Sequence, residues 1–208
     1  MPAMGRREEN KAKKRQRLED EGLQLFLESG YDRTSIEQVA AASDVARGTF
    51  YLYFPDKRSL FETLIDHWYQ PMLGLMAEVD EAIDGSQTQA ELFAVYEGMA
   101  TSLATLGLVH AGSLLLAFRE VRRVGEAGDL LRAREVKLTD AVVSMTRRAA
   151  EKGLIVAADH RLTSLIIMGA IERLIWEFLE GRDIGEDPTV VATEVVRILT
   201  RTLEMEAP

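Results

Sequence analysis

The sequence predicts an all-α protein of about nine helices, an amino-terminal three-helix domain with a helix-turn-helix followed by a larger helical domain. Three observations predict this. Apolar residues recur at three- and four-residue intervals along the 208-residue chain, and no stretch alternates as a strand would. Hydrophobic residues make up 47% and charged residues 28%, which suits one or two domains with real cores and excludes a disordered chain. Charge is also uneven: residues 1–58 carry a net +1 and the rest a net −10. Zero cysteines removes disulfides, thiolate metal sites and a cysteine nucleophile. No uninterrupted apolar run approaches the roughly 18 residues of a membrane span. The opening MPAMGRREENKAKKRQRLEDEG is charged where a secretory signal would be greasy, so a cytoplasmic protein without membrane attachment is expected.

The elements follow from local signals. Residues 6–17 hold seven bases (Arg6, Arg7, Lys11, Lys13, Lys14, Arg15, Arg17) against two acids. A basic arm over 1–14, either a solvated tail or an attraction for phosphates, precedes the first domain. From Leu18 an amphipathic helix runs through Leu25 and Phe26 to about Glu28, with Gly30 as its stop. Thr34-Ser35-Ile36-Glu37 has the form of a capping box opening a second helix through Val39 to Ala42. Ser43-Asp44-Val45 interrupts, a third helix covers about Ala46 to Tyr53, and Phe54-Pro55-Asp56-Lys57 ends it and caps the next. Longer helices are expected at 57–83, 88–106, 109–124, 128–152, 160–180 and 188–204. Their breaks fall at Asp84-Gly85-Ser86, Gly107, Gly125 with Gly128, Gly153, and Gly181 through Pro188. Asp159 and Asp187 stand at expected N-caps, and Pro71 should kink or split the fourth helix.

Three short helices within some 40 residues, the last two joined by a tight turn, form a helix-turn-helix pattern at about 35–54 within a domain spanning 15–58. At 100° per residue Phe50 and Phe54 share one side, facing Val39 and Ala40, so Gly48 and Leu52 point outward. Thr49 and Tyr51 flank them, with Arg47 and Tyr53 nearer the seam. Gly48 permits close approach of a partner at a helix-propensity cost of about 1 kcal/mol. Thr49, Tyr51 and Tyr53 supply hydroxyl donors for phosphate oxygens, Arg47 can bind guanine in bidentate fashion, and Leu52 can meet a thymine methyl. Glu37 reads two ways: the third residue of the capping box, or an acceptor for a cytosine amino group.

Residues 15–61, above all Phe26 with Gly30-Tyr31, Thr34-Ser35, Val39-Ala40 and GTFYLYFPDK at 48–57, resemble the amino-terminal DNA-binding domain of the tetracycline-repressor (TetR) family. The resemblance implies that Thr49, Tyr51 and Tyr53 contact phosphates or base edges and that Arg47 and Leu52 enter the major groove. It implies further that Lys57 holds a phosphate at the start of the fourth helix and that Ser35 contacts backbone. Two departures stand out: Asp44 where the turn usually has glycine, and Ala46 where the third helix usually opens with serine. Beyond residue 61 the likeness is to the family's general plan of a variable helical domain, here 59–208, for ligand binding and dimerisation.

No catalytic constellation is legible there: His67, His110 and His160 are scattered and none of the hydrolase or phosphate-loop motifs occurs, so no enzyme, metal or cofactor is expected. Apolar residues with polar tips follow the helices instead. They are Trp68, Tyr69, Met72, Leu75 and Met76, then Phe93, Tyr96, Met99 and Leu103, then His110, Leu114 and Phe118, with Met145 and Trp176 later. Core packing accounts for such a set, and so does a pocket for a mostly apolar effector, which the resemblance implies. Ile166, Ile167, Ala170, Ile171, Leu174, Ile175 and Phe178 make one late helix apolar over more than one stripe; Val191, Val195, Ile198, Leu199 and Leu203 continue on the next. Such faces either cap a monomer core or meet symmetry mates in a four-helix homodimer interface.

The expectation is a ligand-responsive regulator, a repressor, binding a double-stranded palindromic operator as a dimer, with half-sites roughly 34–36 Å apart or a multiple of it. The rival is a helical small-molecule carrier without operator-specific DNA binding.

Overall fold

The computed structural model describes residues 5–182 and 188–203, and among them nine helices and no strand are found. They are α1 (Arg6–Ser29), α2 (Ile36–Ala42), α3 (Arg47–Phe50), α4 (Lys57–Gly85), α5 (Gln89–Val109), α6 (Ala111–Glu120), α7 (Glu126–Glu151), α8 (His160–Leu179) and α9 (Pro188–Thr202). The all-α expectation stands. The described residues form two compact units, one from 5–67 with 112–131, the other from 68–111 with those from 132 on. The first unit therefore extends past residue 58 and takes in α6, an association the sequence does not mark.

In the first unit, α1 begins at Arg6, twelve residues before the expected Leu18 start, so the described part of the basic stretch is helix rather than a separate arm. The i,i+4 pairs Arg15–Glu19 at 2.8 Å and Gln16–Asp20 at 2.9 Å support it, and Glu8 and Glu9 complement the positive first turn. Leu18, Gly22 and Phe26 face inward. A β-carbon on Gly22 would lie 2.7 Å from Leu60 Cδ2, so glycine lets α1 close onto the first turns of α4. Phe26, Tyr31 and Phe61 form a three-ring cluster with centroids 5.0–5.8 Å apart. Gly30 ends α1 at φ 84, where a β-carbon would run into Arg123 Nη1.

The capping box of α2 is displaced by one residue from the expectation. Ser35 Oγ accepts from the Gln38 amide at 3.2 Å, and the Gln38 side chain accepts from the Ser35 amide at 2.8 Å. Thr34 is buried, and its hydroxyl donates to the Gly30 carbonyl at 2.9 Å and the Leu25 carbonyl at 3.2 Å. Glu37 is thereby excluded from the box. Asp44 takes φ 55, a left-handed turn geometry that aspartate enters more readily than most residues. The α-helical part of α3 covers only residues 47–50, shorter than the expected 46–53. Amides of Leu52 and Tyr53 donate three residues back, to Thr49 and Phe50, so the last turn tightens ahead of Pro55, whose ring disfavours helical geometry in Phe54. Asp56 Oδ1 accepts from the Ser59 amide at 2.7 Å and starts α4.

In the second unit, Pro71 does not split α4, which is one helix from Lys57 to Gly85. Pro71 is exposed, so the carbonyl that loses its amide partner can turn to water. Met76, Val79, Ile83, Leu92, Met145, Ala149, Leu154, Ile155 and Leu203 form the core. Helix α5 opens on a capping box of Thr88 and Glu91 and runs through Gly107 to a cap at His110, so the expected break at Gly107 moves three residues on. By length and composition alone α5 could cross a membrane, although Glu91 and Glu97 interrupt it, so no uninterrupted apolar run in it reaches the length of a span. It packs against α9 and contributes Leu92, Phe93, Tyr96, Met99 and Leu103 to the core region. Gly128, expected in a break, lies buried inside α7. Asp159 Oδ1 caps α8 by accepting from the Leu162 amide at 2.9 Å, whereas Asp187, the other expected cap, lies outside the described residues.

Candidate nucleic-acid interface and effector region

The helix-turn-helix is held from behind. Phe50 and Phe54 are 0% and 2% exposed, their rings 5.7 Å apart, and Val39 and Ala40 are buried with them. Burying two such rings contributes about 3–6 kcal/mol to fixing the face they leave outside. Leu52 is 78% exposed and Tyr51 43%, while Thr49 and Tyr53 are half-buried. Gly48 is exposed, and a β-carbon there would meet nothing within 4 Å, so nothing inside the described protein requires a glycine. Arg15 lies over the Phe54 ring, 4.9 Å from its centroid.

Arg47 is exposed but not idle. Its Nη1 pairs with Glu37 Oε1 at 2.8 Å, its Nη2 donates to the Tyr51 hydroxyl at 3.3 Å, and its guanidinium lies 5.9 Å from the Tyr51 ring centre. The Tyr51 hydrogen bond and Glu37 raise the Arg47 pKa further. Glu37 is held below the usual carboxylate range, first by its own amide and then by Arg47. The Glu37–Arg47 pairing across two helices was not legible in the sequence, because it depends on how α2 crosses α3.

Lys57, expected on a phosphate, donates from Nζ to the Tyr31 carbonyl at 2.7 Å and the Thr34 carbonyl at 3.0 Å, and lies 4.2 Å from the Tyr31 ring centre. Two of its three protons thus tie the α1–α2 turn to the start of α4, leaving one for an anion. Ser35 caps α2 as described. Tyr31 joins this turn to the α6–α7 segment. Its hydroxyl donates to Glu126 at 2.6 Å, its amide points to Glu120 Oε1 at 3.4 Å, and Arg58 reaches Glu126 at 3.3 Å. Burial, then Glu126, pushes the Tyr31 phenol well above its usual value. No sequence signal marked Tyr31, Glu120 and Glu126 as one group.

Of the residues expected to line an effector pocket, the second unit gathers Met72, Met76, Phe93, Tyr96, Met99, Leu103 and Met145 around its core. Burial raises the Tyr96 phenol to about 12, so it stays a neutral donor at physiological pH. Tyr69 is buried, and Arg134 lies 5.2 Å from its ring centre. Trp68 stands against Tyr69, edge to face at 5.8 Å, and its buried Nε1 has no hydrogen-bond partner among the described residues. His110 and Trp176 are half-buried outside that cluster. Leu114 and Phe118 belong to the first unit. An open polar depression, lined in part by Asp84, Arg148 and Lys152, includes none of the expected residues. Its Arg148 pairs with Asp80 at 3.1 Å and Asp84 at 3.5 Å.

On α8 and α9 the single chain leaves apolar side chains in solvent: Leu162, Leu165 and Ile166 on α8, Val190 and Ile198 on α9. Ile171, Leu174, Phe178, Val191 and Val195 are half-buried. Ile167, expected in a dimer interface, packs on the core of its own unit.

A buried aromatic ridge behind an exposed turn-and-helix, on a chain whose described residues are otherwise helices and loops, defines a helix-turn-helix domain. Residues 19–64 match the family described as bacterial regulatory proteins, tetR family, so the amino-terminal segment is similar to that family's DNA-binding part. It is 28% identical over 79 residues to the HTH-type transcriptional regulator YuxN of Bacillus subtilis (strain 168), covering 37% of this chain and 27% of that one. It is 31% identical over 58 residues to the HTH-type transcriptional repressor DhaR of Mycobacterium sp. (strain GP1), covering 28% of this chain and 29% of that one. The chain thus spans under a third of the length of these curated relatives. Solved structures share the fold more widely. FadR of Bacillus subtilis in complex with stearoyl-CoA matches at TM-score 0.65 and 20% identity, over 88% of this chain and 96% of that one. Thermus thermophilus FadR in complex with lauroyl-CoA matches at TM-score 0.60 and 22% identity, over 93% and 97%.

Proposed function

We propose that this transcriptional regulator is a dimeric, effector-responsive repressor that acts in the cytoplasm and carries out no catalysis. Its turn-and-helix from Ala46 to Tyr53 enters the major groove of a palindromic operator. The observation that carries the reading is the stocking of the exposed face: Arg47, Gly48, Thr49, Tyr51 and Leu52 stand outside a ridge whose inner rings are sealed. The exposed bases of α1, Lys11, Lys13, Lys14 and Arg17, add sequence-independent attraction that falls with salt. The apolar side chains on α8 and α9 meet their symmetry mates.

The effector is an acyl thioester of coenzyme A or a similarly long apolar acyl compound. Four methionines, Met72, Met76, Met99 and Met145, give the second unit adaptable packing. The Trp68 indole N–H offers a donor to a carbonyl oxygen. The acyl-CoA complexes of the two FadR proteins support this choice. A ligand against Trp68 and Met72 bears on α4, whose first turn follows Phe54-Pro55-Asp56 directly. Coupling of about 1–3 kcal/mol would weaken operator binding roughly 5- to 150-fold.

Fluorescence anisotropy tests the proposal, with duplexes taken from upstream of the gene and a random duplex, across a salt series and with lauroyl-CoA added. The expected result is tighter binding to the upstream duplex, loss of affinity with Tyr51→Ala at unchanged melting temperature, and release by lauroyl-CoA but not by coenzyme A alone. Equal, salt-insensitive affinities for both duplexes would favour the carrier reading instead.

A further inference from the structure

Glu37 and Arg47 come from different helices and form a 2.8 Å ion pair with both side chains more than half exposed. Arg47 Nη2 also donates to the Tyr51 hydroxyl. Only the Nη2 contact is a hydrogen bond, so at least one proton stays on each terminal guanidinium nitrogen, and the Glu37 carboxylate keeps lone pairs beyond its contact with Arg47. The pair thus offers two donors beside an acceptor. In the major groove a G·C pair presents the complement: N7 and O6 acceptors on guanine and the N4 amino donor on cytosine. A phosphate presents acceptors alone, and a carboxylate brought beside it is repelled.

We propose that Glu37 and Arg47 act as one unit that reads a G·C pair in each half-site, Arg47 donating to guanine and Glu37 accepting from the cytosine amino group. The same carboxylate lowers affinity for duplex lacking that pair. The inference rests on the reading of this face as a DNA-contacting surface. It differs from Arg47 acting alone, because an unaccompanied guanidinium can read guanine but has no neighbouring carboxylate to disfavour phosphates or to read the cytosine. Gly48, adjacent and open, lets the groove edge come close enough for a carboxylate to reach a base.

The test enriches a randomised duplex library in parallel with the wild type, Glu37→Ala, Glu37→Gln and Arg47→Ala. Dissociation constants are then measured at one salt concentration for the wild type's preferred duplex, the same duplex with one G·C pair changed to A·T, and a random duplex. The wild type should discriminate against the changed pair by about tenfold or more. Glu37→Ala and Glu37→Gln should lose most of that discrimination at one half-site position and bind random duplex more tightly, with melting temperatures unchanged. Glu37→Ala combined with Arg47→Ala should lose no more discrimination than either alone, the signature of a coupled pair. Retention of the wild-type preference at every position by Glu37→Ala would overturn the inference, as would unchanged affinity for random duplex. A wild type that enriches no sequence at all would overturn the DNA-binding reading, and this inference with it.

Discussion

Gly48 has room for a β-carbon on every side within the protein, yet it is a glycine in a short helix. Replacing it with alanine removes a helix penalty, so Gly48→Ala is expected to raise unfolding free energy by up to about 1 kcal/mol while weakening duplex binding. Urea denaturation and anisotropy on the same preparations check both halves. Glu120 is the opposite case, a carboxyl 2% exposed in α6. Burial raises its pKa, and Asp32 adds to this, while Arg123 at 3.4 Å and the Tyr31 amide pull it down. Because the folded form holds its proton to higher pH than the unfolded form, Glu120 supports folding in acid. That support is lost as pH rises through the folded value. Glu120→Gln should therefore gain stability over the wild type between pH 5 and pH 7.5, read as the difference of two urea midpoints. If the gap between variant and wild type is the same at both values, the carboxyl does not titrate in this way.

At the level of single helices, capping decides more than propensity. Ser35→Ala removes the oxygen that the Gln38 amide donates to and should cost about 1 kcal/mol in thermal or urea unfolding. The start of α3 is the converse. Ala46 sits at φ −67 and ψ 147 with no side-chain cap, so Ala46→Ser should stabilise by about 1 kcal/mol by the same measurement. These two ends also show what sequence could and could not convey. The inward turn of Phe50 and Phe54 was legible because a four-residue spacing fixes their direction locally, and the Phe54 amide bonded to the Phe50 carbonyl keeps that spacing helical past the end of α3. The register of the α2 cap was not, since Thr34 or Ser35 could begin it and Glu37 or Gln38 could close it. What decided was a tertiary fact, the Thr34 hydroxyl drawn down to the carbonyls of Leu25 and Gly30. The early start of α1 was hidden because a run of charges has no apolar period, although i,i+4 pairing holds it helical. In the candidate interface, exposure could be inferred residue by residue. Engagement could not: Lys57 on two carbonyls and Arg47 on Glu37 are contacts between elements.

For the whole molecule, the prediction concerns association. Ile166 is 60% exposed in the single chain, so Ile166→Asp should leave the subunit folded while burying an unpaired charge in any interface formed by α8. Sedimentation should then show a monomer with unchanged helical content; a variant that sediments as the wild type would place the interface elsewhere. One arrangement described above has a consequence for how such a protein changes over generations. The side chains that would touch a partner, Tyr51 and Leu52 above all, hang outside two rings that never leave the interior. New lettering can be set on the front of that block while the block itself stays fast, so a lineage could exchange one set of target genes for another without first weakening the fold.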